Sequence, residues 1–241
     1  MIEKPIEITE LAAGAANQVL RLRGATESYI FKWLKHNRRF GLNRDSEFKL
    51  QQQLAESGLA PNVLALDPDQ WVLQEYVDGT PMTSFKLNPS EKLQVTAQAL
   101  ALVHQQQPRW AGDDIWQKTA RYTNKLDTST RQQLLQFQRA LQTKEPDVLC
   151  HFDLAFAHIL VNDSITIVDW EYAGWGDRLT DIASTIEINQ LNDSCCDALC
   201  HYYKQETGIT IDKHRLHDHR LFTRWLYQQW SRLLAQGELD E

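Results

Sequence analysis

Residues 151–161, HFDLAFAHILV, and the stretch that follows them at 165–177, ITIVDWEYAGWGD, decide the fold of this chain. Two short apolar runs enclose a polar tripeptide at 162–164, and this pattern predicts a β-hairpin. Asp153 precedes the first strand and Asp169 follows the second. Because a tight hairpin returns the chain to its starting end, we expect the two carboxylates to lie close enough to share one ligand.

Paired carboxylates of this kind suit phosphoryl transfer. One can orient an attacking hydroxyl and take its proton, while the other holds magnesium against nucleotide phosphates. Lys32 lies in the middle of a predicted strand, where a cation is uncommon, and Glu47 lies on the helix that follows. A lysine held by a glutamate fixes an ammonium over phosphates. The alternatives are ordinary cap or turn aspartates, a snorkelling lysine and a surface glutamate.

The bulk properties exclude several classes of protein. A chain of 241 residues with 42% hydrophobic residues can bury a sizeable core, as one large domain or two packed lobes. Its net charge of −7 argues against nucleic-acid binding. It has neither an apolar run long enough to span a membrane nor a signal-peptide pattern, so we expect a cytoplasmic protein without a membrane partner. Its four cysteines are expected to be reduced.

The order of predicted elements indicates an α+β fold. Hairpin-like strands cover 19–34, and a helix capped by Asn43 is predicted from Arg44 to about Ser57. Later segments read mainly as helices, including one that starts at Pro89 and one over about 128–143. These patterns predict a small antiparallel-sheet lobe and a larger helical lobe, which we divide as 1–77 and 78–241.

The catalytic segment resembles that of the aminoglycoside phosphotransferase and choline kinase superfamily. An HxD at 151–153 and a DWE at 169–171, separated by a short hairpin, carry the likeness. It extends from GAANQVLRL at 14–22 to about residue 183, and VDWEYAGWGD at 168–177 is most similar to bacterial thiamine kinases and choline or ethanolamine kinases. The resemblance implies a protein-kinase-like two-lobed fold that transfers phosphate from ATP to a small alcohol.

The resemblance also implies roles for individual residues. Asp153 would be the catalytic base, and Asp169 would be the principal Mg²⁺ ligand. Lys32 would clamp the phosphates, braced by Glu47. The remaining implied positions are the nucleotide loop (Gly14, Asn17), the adenine-binding hinge backbone from Glu75 to Val77, the structural loop residue His151 and the bracing carboxylate Asp181.

One position departs from the family pattern. His158 stands where the family places an asparagine as the second metal ligand. Imidazole nitrogen is a softer donor than the oxygen that Mg²⁺ prefers. Three outcomes therefore remain open: an active enzyme that relies on Asp169 and water, an enzyme that prefers Mn²⁺, or a nucleotide-binding pseudokinase with a regulatory or interaction role.

The acceptor is expected to be a small cationic or aromatic alcohol, because aromatic faces and a carboxylate can hold a cation. Candidate contacts beside the metal loop are Trp170, Glu171, Tyr172 and Trp175. Trp225, Tyr227 and Trp230 in the last helix are further candidates, although their helical spacing also suits core packing. The motifs that resemble the family favour thiamine as the acceptor, then choline or ethanolamine, with an aminoglycoside as an alternative. We expect a monomer or a homodimer.

Overall fold

The N-terminal part of the chain is a five-stranded antiparallel sheet. The computed structural model describes residues 4–13, 17–34 and 40–237. The sheet has the strand order β1-β2-β3-β5-β4. Its strands are β1 (Glu7–Ala13), β2 (Asn17–Arg23), β3 (Ser28–Leu34), β4 (Val63–Asp67) and β5 (Trp71–Glu75).

One helix packs against this sheet. α1 spans Arg44–Glu56, and the side chain of Asn43 accepts a hydrogen bond from the Ser46 amide at its N-terminus, as the sequence predicts. Leu34, Phe48 and Val72 form a small buried cluster between helix and sheet. In β3, side chains alternate between faces, so Lys32 lies on the inner face and its neighbours Phe31 and Trp33 lie on the outer one.

The remainder of the chain is mainly helical. Its helices are α2 (Pro89–His104), α3 (Ile115–Thr123), α4 (Thr128–Ala140), α5 (Arg178–Ile188), α6 (Asp193–Thr207) and α7 (Lys213–Gly237). Its short strands are β6 (Thr80–Pro81), β7 (Val148–Cys150), β8 (Ile159–Val161), β9 (Ile165–Ile167) and β10 (Gly174–Gly176). The predicted α+β class is therefore confirmed, with a sheet region followed by a helical region.

The predicted hairpin at the centre of the chain is present. β8 pairs with β9 in antiparallel register, with Ile159 opposite Ile167. Both of these isoleucines are fully buried in the main core, together with Leu100 of α2 and Ile182 of α5. Core packing on one side of the hairpin therefore sets where the residues that flank it are placed.

Two helices differ from the sequence prediction. α4 ends at Ala140 rather than near residue 143, because Leu141 already has non-helical backbone angles. α3 was not expected from the sequence, although Asp114 and Gln117 form a reciprocal capping box at its start. At only nine residues, α3 is too short to give a strong periodic signal.

The cysteines are free thiols, as expected. Cys150 is buried in β7, and Cys195, Cys196 and Cys200 lie together on α6. Among the helices of the described ranges, none is both long and apolar enough to cross a bilayer.

Candidate active site

The hairpin brings Asp153 and Asp169 to one imidazole ring. His158 Nδ1 lies 3.7 Å from Asp153 Oδ2, and His158 Nε2 lies 3.7 Å from Asp169 Oδ2. The three side chains line a single cavity. The expectation that the two carboxylates come together is met, and the ring between them is the residue that departs from the family pattern.

Asp169 is held by Lys32. Lys32 Nζ donates to Asp169 Oδ1 at 3.0 Å, although the residues are 137 positions apart. Burial raises the pKa of Asp169, but the charge and the hydrogen bond of Lys32 outweigh it, so this pKa lies well below its usual range. Burial likewise lowers the pKa of Lys32, and the charges of Asp169 and Glu47 more than offset it. The pair is thus a carboxylate and an ammonium at neutral pH.

The Asp153 carboxyl behaves in the opposite way. Burial, followed by the nearby charges of Asp169 and Glu171, raises its pKa well above the ordinary value. Two neighbouring carboxyl groups therefore have their pKa values pushed apart by their surroundings. Such a separation is typical of a site in which one group exchanges a proton and the other stays ionised.

The loop that carries Asp153 is held by Asp181 of α5. The Asp181 carboxylate accepts the backbone N–H of His151 at 3.0 Å and that of Phe152 at 2.6 Å. Its Oδ2 also lies 3.1 Å from His104 Nε2. Phe152 has a positive φ of 61°, a strained conformation for an aromatic residue, and these bonds stabilise it. Asp181 thus lies where a brace for this loop was expected.

His151 is a buried structural residue. Its Nε2 donates to the Val168 carbonyl at 3.1 Å, and its Nδ1 accepts the Asp153 N–H at 3.3 Å. Burial lowers the pKa of His151 to about 4, so its ring is neutral near pH 7. The ring joins the two loops that carry the aspartates.

Glu47 has a different partner from the one expected. It accepts from Arg44 Nη1 at 2.8 Å, whereas the ion pair of Lys32 is with Asp169. Glu47 therefore acts on Lys32 through its charge, which raises the pKa of the lysine, and not through a direct ion pair within the described residues. The physical reason is competition, because the Arg44 guanidinium lies one helical turn from Glu47 and takes its carboxylate.

Arg44 joins the sheet region to the DWE segment. Its Nη1 also donates to Glu171 Oε2 at 2.9 Å, and Asn17 Nδ2 donates to the same oxygen at 3.0 Å. Burial and the Asp169 charge raise the pKa of Glu171 to about 7, despite the attraction of Arg44. Sequence reasoning missed Arg44. A cation in the first turn of a helix opposes the helix dipole, and that was an available signal for a partner.

Two of the predicted acceptor contacts lie elsewhere. Trp170 is only 1% exposed, and its indole packs at a tilt against the His151 ring and donates to the Ile167 carbonyl within the core. Trp175 packs beside Trp110 and lines a separate groove. Neither lines the aspartate cavity, since Trp170 of the short helical turn after Asp169 is buried in the core and Trp175 belongs to β10.

Tyr172 and Glu171 do line the cavity. Trp230 Nε1 donates to the Tyr172 hydroxyl at 3.0 Å, which positions both rings on the same wall. The cavity has a volume of about 560 Å³ and a mainly apolar lining. Its further lining residues from the helices are Ile115, Lys118, Thr119, Tyr122, Glu187, Ile188, Leu226, Tyr227, Trp230 and Ser231. Trp225 lies instead in a core cluster.

Lys118 is a cavity residue that the sequence did not reveal. Its Nζ donates to the Ala173 carbonyl at 2.7 Å. Burial lowers the pKa of Lys118 to about 8, although Glu47 and Asp113 act against this shift. A Cβ at Gly174 would approach Lys118 Cδ to 3.1 Å and the Asp113 carbonyl to 2.8 Å, so the lysine depends on a glycine there.

The expected nucleotide positions are placed only in part. Gly14 lies outside the described residues. Asn17 is bonded to Glu171 and Arg44. At the hinge, the Glu75 amide donates to the Asn62 carbonyl, whereas the Val77 amide donates to no group within residues 4–13, 17–34 and 40–237. Among the three expected hinge positions, Val77 is therefore the one whose N–H has no acceptor within the described residues.

The fold and the paired carboxylates define a kinase-like phosphotransferase. A match to the phosphotransferase enzyme family covers residues 7–217, and the chain belongs to that family. Among solved structures, the chain is similar to choline kinase LicA from Streptococcus pneumoniae, with a TM-score of 0.78 and 15% identity over 98% of this chain and 87% of that one. It is also similar to an aminoglycoside-3'-phosphotransferase of type VIII, with a TM-score of 0.70 and 20% identity over 91% and 93%.

A curated relative is similar over a shorter stretch. Protein LicA of Haemophilus influenzae is 33% identical over 91 residues. The match covers 35% of this chain and 34% of the relative, so the chain matches about a third of that protein's length.

Proposed function

We propose that this protein transfers the γ-phosphoryl group of ATP to the hydroxyl of a small cationic alcohol, with choline or ethanolamine first. The observation that carries the proposal is the meeting of Asp153 and Asp169 on one cavity wall, with Asp169 held by Lys32. Thiamine, which the sequence motifs favour, takes a later place because a solved structure that resembles this chain over most of its length is a choline kinase.

Asp153 is assigned as the catalytic base. A general base works best when its pKa lies near the operating pH, and the raised pKa of Asp153 moves it in that direction. Its carboxylate can orient the acceptor hydroxyl and take its proton as the phosphoryl group is transferred. The phosphoryl group moves from the terminal bridging oxygen of ATP to the acceptor oxygen, and ADP leaves.

Asp169 is assigned as the Mg²⁺ ligand. Its carboxylate is ionised and offers the oxygen donor that Mg²⁺ prefers, so the residue fits this role. When bound, Mg²⁺ neutralises charge on the phosphates and aligns them for transfer. Lys32 lies beside Asp169, from where its ammonium can also contact a phosphate oxygen.

The nucleotide is assigned to the cleft between the sheet region and the helical region. We infer that residues 1–77 form the nucleotide-binding lobe and that residues 78–241 form the catalytic and acceptor-binding lobe. The Val77 N–H is the proposed adenine contact in the hinge, together with the backbone of Glu75. Gly14 and Asn17 are proposed to cover the phosphates.

The cavity lining favours an acceptor with one cationic group, either a quaternary or a primary ammonium. Glu171 is paired with Arg44, and Glu187 is paired with Arg220 and Arg224, so neither carboxylate is free to bind a second cation. The rings of Tyr172, Tyr227 and Trp230 remain as the cation-binding surface. A polycationic aminoglycoside calls for several free carboxylates, so this lining favours choline or ethanolamine over that alternative.

The decisive experiment is an acceptor panel. Choline, ethanolamine, thiamine and kanamycin are each incubated with ATP and Mg²⁺, and the phosphorylated product is identified by mass spectrometry. We expect turnover with choline or ethanolamine, and we expect Asp153→Asn to lower kcat by about 10²- to 10⁴-fold without weakening nucleotide binding. Nucleotide binding without turnover of any acceptor would replace the proposal with the pseudokinase.

We further propose that the reaction takes place in the cytoplasm with a small molecule as the only substrate besides ATP, and that the active unit is a monomer or a homodimer.

A further inference from the structure

The His158 ring has one nitrogen whose protonation is set by its partner. His158 Nδ1 lies 2.7 Å from the backbone carbonyl oxygen of Asp153. A carbonyl oxygen only accepts hydrogen bonds, so Nδ1 must carry the hydrogen. In the neutral ring, the lone pair then resides on Nε2.

That lone pair faces a second atom that can coordinate a cation. His158 Nε2 lies 3.7 Å from Asp169 Oδ2, which is too long for a hydrogen bond. The other oxygen of Asp169 already accepts from Lys32. Two electron-rich atoms therefore face each other at the cavity wall, an arrangement that a cation between them would satisfy.

Another cluster in the described chain has suitable residue types but a different character. His104, Cys150 and Asp181 lie close together, and all three are buried. The His104 ring is already bonded to Tyr203 and Asp181, and Asp181 accepts two backbone N–H groups. That cluster is a closed hydrogen-bond network, whereas His158 and Asp169 face open space.

We propose that His158 Nε2 and Asp169 Oδ2 form a mixed nitrogen–oxygen metal position that shifts the preference of this enzyme from Mg²⁺ towards Mn²⁺. The inference rests on the proposed kinase function, because nucleotide phosphates complete the coordination. Mg²⁺ prefers oxygen donors, while Mn²⁺ accepts imidazole more readily and lies above the hard alkaline-earth cations in affinity for nitrogen-containing sites.

The coordination is tested by pulsed electron paramagnetic resonance of Mn²⁺ bound to the full-length protein with ADP. The wild-type complex is expected to show ¹⁴N coupling typical of a directly bound imidazole, and His158→Asn is expected to lose it. Nitrogens of ADP and backbone are common to both samples and cancel in the comparison. His201→Asn, an exposed histidine on α6, is the matched control and should keep the signal.

The selectivity is tested by competition of Mn²⁺ and Mg²⁺ for the same ADP complex. His158→Asn should lower the preference for Mn²⁺ by about tenfold. Wild-type Mn²⁺·ADP binding without nitrogen coupling, or an unchanged preference in the variant, would overturn the proposal. If either of these results is found and an acceptor is still phosphorylated, the proposed kinase function stands and only the proposed metal position is rejected. If nitrogen coupling is found without turnover of any acceptor, the metal position stands and only the kinase function is rejected.

Discussion

Lys118 is a partly buried cation on the wall of the cavity, and its charge carries a cost in stability. Its pKa is about 8, against 10.5 for an ordinary lysine. Between these two pH values the unfolded chain holds a proton that the folded chain has released, so stability rises with pH in this window. Below pH 8 the Lys118 amine is protonated in both the folded and the unfolded chain, so the full cost in stability of desolvating its charge remains.

Replacement of this lysine should therefore stabilise the protein near neutral pH. The pKa shift corresponds to about 3 kcal/mol, and the Ala173 carbonyl left without its donor takes back about 1 kcal/mol. We expect Lys118→Met to raise the free energy of unfolding by about 2 kcal/mol at pH 7 and to give no gain at pH 10.5. Denaturant unfolding at both pH values measures this.

A lysine at the surface provides the control for this experiment. Lys204→Met, at an exposed position on α6, should change stability by less than about 0.5 kcal/mol at either pH. An equal gain for Lys118→Met at pH 7 and pH 10.5 would show that packing rather than charge is responsible.

Individual side chains also show which parts of the site could be predicted from the sequence and which could not. The proximity of Asp153 and Asp169 could be predicted from the hairpin, because a tight turn returns the chain to its starting end. Trp170 and Tyr172 are two residues apart, and which one lines the cavity depends on a left-handed Asp169 with φ 69°. Aspartate adopts this left-handed angle only infrequently, so the pattern of residues could not reveal that Trp170 points into the core.

At the scale of elements, α5 supports the catalytic loop through Asp181. Asp181→Ala leaves two buried backbone N–H groups without an acceptor, and each costs about 1–3 kcal/mol. We expect a loss of about 2–6 kcal/mol in unfolding free energy and a lower kcat. Asp181→Asn keeps one carbonyl oxygen and should lose less of both, as followed by denaturant unfolding and steady-state kinetics.

The Asp181→Asn variant also distinguishes an effect on the position of the catalytic loop from an effect on the stability of the whole protein. Within the described residues the buried Thr96 hydroxyl bonds only to a carbonyl of its own helix, so Thr96→Ala, which leaves a small cavity, should cost stability with kcat unchanged. If Asp181→Asn behaves like Thr96→Ala, the carboxylate does not position the loop that carries Asp153.

The elements themselves were predictable where local chemistry is strong. The β2–β3 hairpin, the Asn43 cap of α1 and the Pro89 start of α2 all follow from local residues. α3 was not predicted, and it contributes Lys118 and Tyr122 to the cavity. Its position depends on α7 and β10, which lie far away in the chain, and no local pattern reports such packing.

At the scale of the whole molecule, Arg44 connects the sheet region with the segment that carries Asp169. Arg44→Met leaves the carboxylates of Glu47 and Glu171 buried without their cation, which should destabilise the protein by about 3–5 kcal/mol. Glu171→Gln removes one of these charges. In a double-mutant cycle of unfolding free energies, the combined variant should therefore lose less than the sum of the single variants.

The coupling between these two residues should depend on pH. Because the pKa of Glu171 is about 7, its carboxylate is ionised above this pH and protonated below it. The coupling energy should consequently be larger at pH 8.5 than at pH 6. Equal coupling at both values would show that Glu171 does not change its protonation in this range.

The two-lobed architecture was predictable from the order of elements, and the family match confirms the resemblance. The partner of Glu47 was not predictable, because both Arg44 and Lys32 are plausible neighbours in sequence. Glu171 and Glu47 share the Arg44 guanidinium because the sheet region packs against the helical region, and the order of residues does not reveal this packing.

The arrangement of thiols offers a ready attachment point for a spectroscopic probe. Cys150, Cys196 and Cys200 are buried, whereas Cys195 is partly accessible. A maleimide dye added to the native protein should therefore react first at Cys195. In the described chain α6 contributes no residue to the cavity wall, so a fluorophore can be attached there without an engineered cysteine and without obstructing the ligands.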